Sequence, residues 1–380
     1  MAKRILRLVL IVPLIFLASA PGCRPRSTAD TERISQPAKL VAAEQLRDTD
    51  VLPYLDGPIV PGRNYLYCAT FQLAWNQSQE KVFREPIHLA GSPKMAEYLL
   101  RGDKLSESIL PPNSYLLRAG LVKDGVVAEI REEMERRFPH ATFQVPEPQK
   151  PVWAVVFAYL QRSLAFREAF DRLEKPLVFH AKNGPVKLAS FGVRNLDVNS
   201  PRHALFLVHQ VTPLVYASDD DFVLRLNTTS TEDEIVLAKV KPRATLAATL
   251  AAVRERIQRR EGLHEWGPDS LMGEESLVVP IIELNVRREY TELERRLLTN
   301  PKWSTTYLAV AEQGIRFRLD EKGARLESDA AELPASATMA KPSQYIFDKP
   351  FLVYLKRKSC DEPYLAIWIE TPELLKELGK

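Results

Sequence analysis

Apolar residues recur at every third or fourth position in two stretches of the chain, as they do on the buried face of an amphipathic helix. These positions are Val127, Ile130, Met134 and Phe138 in the first stretch, and Leu246, Leu250, Val253 and Ile257 in the second. Charged residues fill the opposite face of the first stretch, which we interpret as a solvated surface. Two further apolar segments, 65–75 and 94–100, predict a buried helix and a second short helix.

Short runs rich in β-branched and aromatic residues, separated by turn residues, predict strands in the remainder of the chain. The run 152–159 is apolar throughout, which is typical of a strand buried on both faces. The other predicted strands cover 177–180, 186–193, 205–215, 222–226, 235–240, 277–286, 315–319, 351–355 and 364–369. Helices early in the chain and strands later predict an α+β fold.

The amino-terminal residues have the layout of an export signal. Lys3, Arg4 and Arg7 precede an apolar run over 8–18, which is shorter than the roughly twenty residues that a membrane-spanning helix needs. We therefore predict a signal peptide over 1–22 and an exported protein.

The residue that follows this signal is a cysteine, Cys23, preceded by Ala-Pro-Gly. Small residues ahead of a cysteine resemble the bacterial lipobox, and this resemblance implies that Cys23 is a lipid anchor and the only contact with a membrane. Cleavage nearby without lipidation would instead leave an extracellular or periplasmic protein. The polar composition of 23–50 predicts a tether, so the folded domain is expected to cover 51–380.

Composition narrows the classes of function. The chain has 380 residues, of which 45% are hydrophobic and 27% charged, and its formal net charge is +3, which excludes a disordered chain and gives no reason to expect a nucleic-acid partner. Three scattered cysteines do not form a zinc cluster, and we predict no metal and no cofactor. In an exported protein Cys68 and Cys360 either pair or remain two thiols.

The segment 320–346 has no sustained periodicity. It contains Gly323, Pro334 and Pro342 together with many Ala and Ser residues, so it predicts a long exposed loop. Most connections in folded domains run to four to six residues, and longer ones are usually functional or disordered.

Two sequences that flank this segment resemble the carboxy-terminal signature of the serpins. Leu319 begins the sequence LDEKG, and Phe347 begins FDKPFLV, in the order and spacing of the serpin hinge and post-loop strand. Segments over 156–170, 176–180, 216–257 and 279–297 also resemble serpin segments in the right order, so the resemblance covers about 121–375. It implies a loop hinge at Glu321, Lys322, Gly323 and Ala324, and a post-loop strand containing Phe347, Lys349, Pro350 and Phe351.

The resemblance implies a serpin-like α+β fold with mixed multi-stranded sheets, a helical amino-terminal half and a long exposed reactive-centre loop. In inhibitory serpins a serine protease cleaves this loop and becomes trapped as an acyl-enzyme while the loop inserts into the large sheet as a new strand. The serpin contributes no catalytic residues, needs no cofactor and is expected to be a monomer.

Two ways of counting place the reactive bond differently. Counting from Glu321 gives Ala337–Thr338, whereas counting back from Phe347 gives Met339–Ala340. Either bond offers the protease a small or thioether side chain, which favours an elastase-like or subtilisin-like target. Alternatively, Met339 is only a linker within the loop.

The loop and its surroundings also depart from the inhibitory pattern. After Gly323 the residues Ala324, Leu326 and Ser328 alternate with the charged residues Arg325, Glu327 and Asp329, and burying the charged set would cost several kcal/mol per side chain. The family's polar network is also altered: Gln313, Phe157 and Leu164 replace its His, Asn and Trp, and the segment 85–89 is the best match to its Ser-rich motif. The alternative function is therefore a non-inhibitory serpin-fold binding or scaffold protein.

Three further features have competing interpretations. The Asp219–Asp221 run is either a cation site or a solvated turn, and we favour the turn. Arg254, Arg256, Arg259 and Arg260 form either a polyanion patch or a solvated helix end, and we favour the helix end. The segment 267–271 resembles a GDSL esterase motif but is interrupted by Pro268.

Overall fold

The computed structural model describes residues 40–102, 104–139, 141, 152–194, 207–263, 271, 275–322 and 342–378. The predicted signal peptide and Cys23 lie outside these residues. Part of the predicted tether lies inside them and is folded, because Val41 pairs with Val286 and Thr49 pairs with Asn64. The domain boundary predicted at residue 51 is therefore too late: polar composition concealed two short strands that complete the edges of two sheets.

The central sheet joins strands from distant parts of the chain. Its strands in spatial order are β1 (Val41–Ala42), β12 (Ile282–Glu289), β14 (Tyr307–Leu319), β5 (Ala154–Ser163) and β4 (Tyr115–Leu121), with β13 (Arg296–Leu297) pairing with the start of β14. Most neighbours are antiparallel, but β14 and β5 run parallel. The sheet is therefore mixed, and its one long parallel pair lies near its middle.

The second sheet is antiparallel except at one edge, where β2 and β3 run parallel. Its order is β2 (Thr49–Leu52), β3 (Asn64–Cys68), β17 (Pro363–Ile369), β16 (Phe351–Arg357), β10 (Asp233–Lys239), β9 (Asp221–Leu226) and β8 (Val211–Ser218). The strands β16 and β17 are buried along most of their length, so this sheet supplies much of the main core.

The third sheet is the smallest, and it receives the chain after the 323–341 segment. Its order is β15 (Gln344–Ile346), β11 (Ser276–Pro280), β7 (Gly184–Val193) and β6 (Asp171–Ala181). Strand β15 is at the edge and pairs in parallel with β11.

Few helices accompany the sheets in the described part of the chain. The α-helices are α1 (Thr70–Gln77), which continues as a π-helix over Ser78–Phe83, α2 (Lys94–Arg101), α3 (Val126–Arg137) and α4 (Leu246–Gln258). Short 3-10 turns cover Ala43–Gln45, Glu107–Ile109, Val122–Asp124, Pro301–Trp303 and Pro372–Leu374. Helix α4 begins where the Thr245 hydroxyl accepts a hydrogen bond from the Ala248 amide at 3.1 Å, an ordinary N-cap.

The central sheet is covered on both faces. Because side chains alternate along a strand, Phe157 and Tyr159 of β5 pack with α3 on one face, whereas Val156 and Ala158 join the main core on the other. We call the face toward α3 the outer face. The predicted helix at 126–138 is confirmed as α3, and its apolar positions are the ones that meet the sheet.

The α+β class with several mixed sheets is confirmed, with two corrections. The predicted helix at 65–75 is wrong over its first part, because residues Asn64–Cys68 form β3, and an apolar run alone cannot distinguish a buried strand from a buried helix. The amino-terminal half is also not mainly helical, since seven strands begin before residue 185. The predicted strand at 277–286 is two strands, β11 and β12, where the chain passes from the third sheet to the central one.

Among the described residues no helix combines the length and hydrophobicity required to cross a bilayer. The two described cysteines are separate thiols. Cys68 Sγ lies 3.3 Å from Thr70 Oγ1, whereas Cys360 Sγ lies 3.8 Å from the Ser108 carbonyl oxygen. Burial raises the pKa of Cys68 to about 11, so this thiol is an inert core group.

Candidate functional site

The candidate site consists of the two points where the segment 323–341 joins the folded domain. Of the predicted loop residues, Gly323, Ala324, Ala337, Thr338, Met339 and Ala340 lie outside the described residues. The other predicted residues, Glu321, Lys322, Phe347, Lys349, Pro350 and Phe351, are described. We call the surroundings of Asp320, Glu321 and Lys322 the proximal anchor, and the surroundings of Lys239 and Asp348 the distal anchor.

The proximal anchor begins where β14 ends. The Asp320 carboxylate accepts a hydrogen bond from the Lys322 amide at 3.0 Å and pairs with Arg318 Nε at 2.5 Å. The chain then turns onto the segment that follows β5: the Phe170 amide donates to the Glu321 carbonyl at 3.0 Å, and the Phe166 amide donates to the Lys322 carbonyl at 3.4 Å. Two backbone hydrogen bonds therefore hold Glu321 and Lys322 to the segment that follows β5.

One ion pair supports these backbone bonds. Arg172 Nη1 on β6 lies 3.2 Å from Glu321 Oε1, and the Arg172 side chain is 49% exposed. Beneath it, Phe166 and Phe170 meet edge to face with ring centroids 4.7 Å apart, and both pack against Phe191. The aromatic cluster positions the Phe166 and Phe170 amides, which bind the carbonyls of Lys322 and Glu321. The solvent-exposed ion pair contributes little further stability.

Strands β14 and β5 are paired along their whole shared length. Their register runs from Leu308↔Ala154 to Arg318↔Ser163, with one irregularity between Leu308 and Val310. No other described strand lies between them. The end of this parallel pair at Arg318 is also the point where the chain enters the proximal anchor.

The same end of β5 is attached to the second sheet through a buried carboxylate. Asp233, at the start of β10, pairs with Arg162 and also accepts hydrogen bonds from the hydroxyls of Ser230 at 2.7 Å and Tyr364 at 3.3 Å. The Asp233 side chain is fully buried. Its charge is compensated by one guanidinium and two hydroxyls, as a buried carboxylate requires.

A buried polar network in the central sheet is centred on Gln313. Its side-chain oxygen accepts a hydrogen bond from the Tyr290 hydroxyl at 2.8 Å, and its nitrogen donates to Thr70 Oγ1 at 2.8 Å and to the Cys68 carbonyl at 3.1 Å. Gln313 and Thr70 are completely buried, and the Tyr290 ring stacks on Phe71 with centroids 3.9 Å apart. The side chain of Gln313 thus has partners for both of its polar atoms.

This network corrects the sequence assignment of the Ser-rich segment. Residues 85–89 lie instead beside Asn300, whose side chain accepts from the His88 amide at 2.9 Å and donates to the Pro86 carbonyl at 2.8 Å. The segment that faces Gln313 is the junction of β3 and α1, at Cys68 and Thr70. The sequence pattern did not indicate this segment, because its residues share little with a Ser-Pro motif and the region 65–75 was expected to be one helix.

The distal anchor is centred on Lys239, whose side chain is 4% exposed. Its ammonium group donates to the carbonyls of Asp219 and Ile346, both at 3.0 Å, and to Asp348 Oδ1 at 2.7 Å. It also lies 2.9 Å from Asp220 Oδ1. A single buried cation therefore ties the end of β10 to the β8–β9 turn and to the chain that leaves β15.

The carboxylates of the β8–β9 turn all have protein partners. Asp219 accepts from the Tyr216 hydroxyl at 2.6 Å and from the Gln344 amide at 3.1 Å, and Asp221 pairs with Arg256 at 2.7 Å. The run is a turn, as the sequence interpretation preferred, and Asp220 is 57% exposed, but its carboxylates also bind protein partners. The turn is the acceptor side of the distal anchor, and no described group of His, Cys, Asp and Glu residues is suited to hold a metal ion.

Asp220 has two cationic partners, Lys239 and Lys349. Lys349 Nζ lies 2.6 Å from Asp220 Oδ2, and the Lys349 side chain is 46% exposed. Hydrogen bonds from Lys349 and then from Lys239 lower the pKa of Asp220 to about 2. This carboxylate is therefore ionised in any ordinary buffer and balances the buried ammonium.

The basic residues of α4 have a structural role. Arg256 pairs with Asp221 and with Glu261 at 3.0 Å, and Arg259 pairs with Glu255 at 3.1 Å. Arg254 lies 3.5 Å from Glu362. Intramolecular carboxylates thus pair with three of the four arginines at this helix end, and Arg256 braces the distal anchor through Asp221.

Aromatic packing explains the remainder of the post-loop sequence. The Phe347 ring lies 5.1 Å from the rings of both Phe222 and Phe351, and the Tyr345 ring lies 5.2 Å from Phe222. The Asp348 carbonyl accepts from the His180 amide at 2.7 Å. Pro350, between these contacts and β16, has no amide to donate. In the FDKPF sequence, the buried rings of Phe347 and Phe351 thus flank Asp348, which forms an ion pair with Lys239 and a backbone hydrogen bond with His180.

Sequence reasoning singled out the residues at both ends of the segment 323–341 but missed most of their partners. Lys239 sits in the sequence LAKVKP and could be suspected only as a lysine inside an apolar strand pattern. Arg172 and Arg162 carry no motif at all. Their roles depend on contacts with residues about 149 and 71 positions away, which a local pattern does not encode.

Solved serpin structures are similar to this chain. Thyroxine-binding globulin in complex with thyroxine is 14% identical with a TM-score of 0.49, and the match covers 81% of this chain and 93% of that chain. Native protease nexin-1 with heparin is 9% identical with a TM-score of 0.47, covering 81% and 92%. Serpin-12 of Manduca sexta is 11% identical with a TM-score of 0.47, covering 82% and 94%.

No family model and no curated protein sequence matches the chain. The described residues form three sheets with few helices, and β15, the strand that follows the segment 323–341, lies at the edge of the smallest sheet.

Proposed function

We propose that the chain is a serpin-type inhibitor of serine proteases that uses the segment 323–341 as bait. The observation that carries this proposal is that the two ends of the segment are fixed to different sheets by anchors of different strength. The proximal end leaves the central sheet beside the parallel pair β14 and β5, and the distal end joins the third sheet at β15. A protease that cuts between them frees one end while the other stays attached to β14.

The parallel pair offers a place for the freed segment. A strand that turns back after β14 runs antiparallel to both β14 and β5 and would replace one parallel ladder with two antiparallel ones, which are slightly more stable per residue. Strand β5 has ten residues, and the segment from Gly323 to a cut after Ala337 or Met339 is long enough to match them. While the chain is intact, the distal anchor opposes complete insertion.

The two faces of the central sheet differ in polarity, and this difference favours one register of the inserted strand. On the inner face near the proximal anchor the neighbouring side chains are apolar, among them Phe317 and Leu160. On the outer face the neighbours are polar and basic, including Arg318 and Arg316 on β14. We therefore place Ala324, Leu326 and Ser328 inward, and the charged residues Arg325, Glu327 and Asp329 outward, where the two acidic side chains would approach the arginines of β14.

The proposal is tested by incubating the folded domain with an elastase-like and a subtilisin-like protease and following the products on denaturing gels. Inhibition predicts an SDS-stable complex and a large rise in the melting temperature of the cleaved protein. Mass spectrometry of the released carboxy-terminal fragment identifies the bond, because the fragment begins at Thr338 or at Ala340. The matched control is Ala324→Arg, whose side chain would have to enter the inner face, and it should be cleaved without forming a complex.

The alternative is a non-inhibitory scaffold or binding protein of the same fold. It is favoured by the satisfied network at Gln313 and by the hydrogen bonds that hold Glu321 and Lys322, since both features stabilise the closed sheet. In that case cleavage yields two fragments, no complex and an unchanged melting temperature. Such a result with several proteases would exclude inhibition and leave the scaffold function.

The proposed location is outside the cytoplasm, with Cys23 as the attachment to a membrane. The support comes from the signal-like residues before it and from the small residues that precede the cysteine. Fractionation of cells that express the full chain tests this assignment. The unmodified chain should partition with membranes and Cys23→Ser should not, whereas a Cys23→Ser protein that stays with membranes would refute the anchor.

A further inference from the structure

One edge of the central sheet has no partner strand in the described part of the chain. Strand β4 is the last strand in the sheet order and pairs only with β5. The Gln161 amide donates to the Ser114 carbonyl, and the Val122 amide donates to the Trp153 carbonyl, at 2.8 and 2.9 Å. Because antiparallel pairing alternates, even-numbered residues of β4 bond to β5, and the backbone groups of Tyr115, Leu117 and Ala119 point to the other side.

A groove of about 530 Å³ runs beside this free edge. Tyr115 and Leu117 line it from β4, Gln77 lines it from the end of α1, and Glu107 lies across from them. The connection between α2 and β4 is short, and its described part contains only the 3-10 turn Glu107–Ile109. The groove therefore leaves the backbone at the edge of β4 accessible.

The outer wall of the groove is basic. Arg118 on β4 and Arg136 and Arg137 on α3 all line it, and all three guanidinium groups converge on the single carboxylate of Glu133, at 3.5, 2.9 and 3.6 Å. The Arg136 side chain is 64% exposed. Three cations share the one carboxylate of Glu133, and Glu107, which lines the groove, accepts a hydrogen bond from the Tyr115 hydroxyl at 2.7 Å. Positive charge therefore exceeds negative charge along this wall.

We propose that the free edge of β4 binds an extended acidic peptide segment of a partner protein. The peptide would add a strand to the central sheet through the backbone groups of Leu117 and Ala119, and a peptide amide would replace Arg118 Nη1, which donates to the Leu117 carbonyl at 2.8 Å. Every second side chain of such a strand lies on the outer face, beside Arg118, Arg136 and Arg137, so the preferred sequence has carboxylates at alternating positions. This surface is separate from both anchors of the loop and takes a partner of different chemistry.

The test measures fluorescence anisotropy of labelled peptides with the full chain. The acidic probe is Thr-Glu-Val-Glu-Thr-Glu-Val, and the basic probe replaces each Glu with Lys. We expect the acidic probe to bind at least about tenfold more tightly. Equal binding of the two probes, or no binding of the acidic one, would overturn the proposal.

Two variants separate strand addition from simple attraction of anions. Ala119→Pro removes an amide that faces the free edge while leaving the bonds to β5, so it should abolish binding of the acidic peptide. Arg136→Glu should weaken binding about tenfold or more, whereas Lys302→Glu, on an exposed 3-10 turn that does not line the groove, should not. If Ala119→Pro binds the peptide as well as the unmodified chain does, while its far-ultraviolet spectrum and melting temperature are unchanged, the surface is an anion site and strand addition is refuted.

Discussion

The proximal and distal anchors fix the two ends of the same segment by different means. The proximal anchor relies on two backbone hydrogen bonds and an ion pair through Arg172, which is half exposed. The distal anchor surrounds a buried Lys239 with four oxygen atoms and rests on packed aromatic rings. Exposed ion pairs contribute about 0–1 kcal/mol, whereas each buried polar group that loses its partner costs about 1–3 kcal/mol, and Lys239 serves several such groups.

This difference assigns a direction to any movement of the segment. The weaker anchor is the one next to the β14–β5 pair, where a new strand would begin to enter, and the stronger anchor holds the end that would have to be released. A protein that exposes bait and waits for a cut requires this order of strengths. If the distal anchor were the weaker one, it would no longer oppose insertion of the intact segment into the central sheet.

Replacing Lys239 with Met should cause the largest loss of stability and so tests the distal anchor most directly. The substitution keeps the length of the side chain but leaves Asp348 and two carbonyls without their buried donor, so the free energy of unfolding should fall by about 3–5 kcal/mol. Urea denaturation measures the loss. The control is Lys349→Met, which should cost no more than about 1 kcal/mol because Lys349 is nearly half exposed. Equal losses for the two variants would contradict the ranking of the anchors.

Gln313→Leu tests the region between the anchors. The change removes the acceptor of the Tyr290 hydroxyl and the donor to Thr70 Oγ1 and to the Cys68 carbonyl, and a buried polar group without its partner costs about 1–3 kcal/mol. We expect an intermediate loss of about 2–3 kcal/mol by urea denaturation. Gln344→Leu, at the partly exposed edge strand β15, is the control and should change stability by less than about 0.5 kcal/mol. A neutral Gln313→Leu would mean that the network does not stabilise the closed sheet.

Acid should weaken the distal anchor only at low pH. The pKa of Asp220 is lowered from 3.8 to about 2 by Lys349 and Lys239, so its contribution is fully present above about pH 4 and is lost as the pH falls toward 2. Because Asp220 is 57% exposed, screening by solvent reduces this contribution to less than about 1 kcal/mol. Asp220→Asn should therefore flatten the pH dependence of stability between pH 4.5 and 2.5. An unchanged slope would show that Asp220 does not hold the anchor.

The two ends of the segment 323–341 stand out in the sequence because they are local patterns. A stretch without periodicity between LDEKG and FDKPFLV is visible in the letters alone, and the apolar spacing of α3 and α4 predicted both helices. What holds the ends could not be predicted. Lys239 and Asp348 lie 109 positions apart, and their pairing follows only from the order of strands in two sheets.

The missed features share a physical cause. The run 65–75 is apolar throughout, and such a run fits a buried strand or a buried helix equally well until its partners are known. The partners of the Asp219–Asp221 turn could not be predicted either, because they come from β10, α4 and the chain after β15. Contacts with distant segments decide both cases, and a local sequence pattern does not encode them.

Arg172→Gln should have the smallest effect on stability and the most local one. It removes the ion pair to Glu321 but leaves the backbone hydrogen bonds of Phe166 and Phe170 in place, so the free energy of unfolding should change by no more than about 1 kcal/mol. Local opening of the hinge should nevertheless become easier, and amide hydrogen exchange at Phe166 and Phe170 should accelerate up to about fivefold. The amide of His180, which reports on the distal anchor through the Asp348 carbonyl, should keep its rate. Lys175→Gln on the same strand is the control and should alter neither rate. If exchange accelerated equally at both anchors, the two would open as one unit, and the directional release inferred from their different strengths would be wrong.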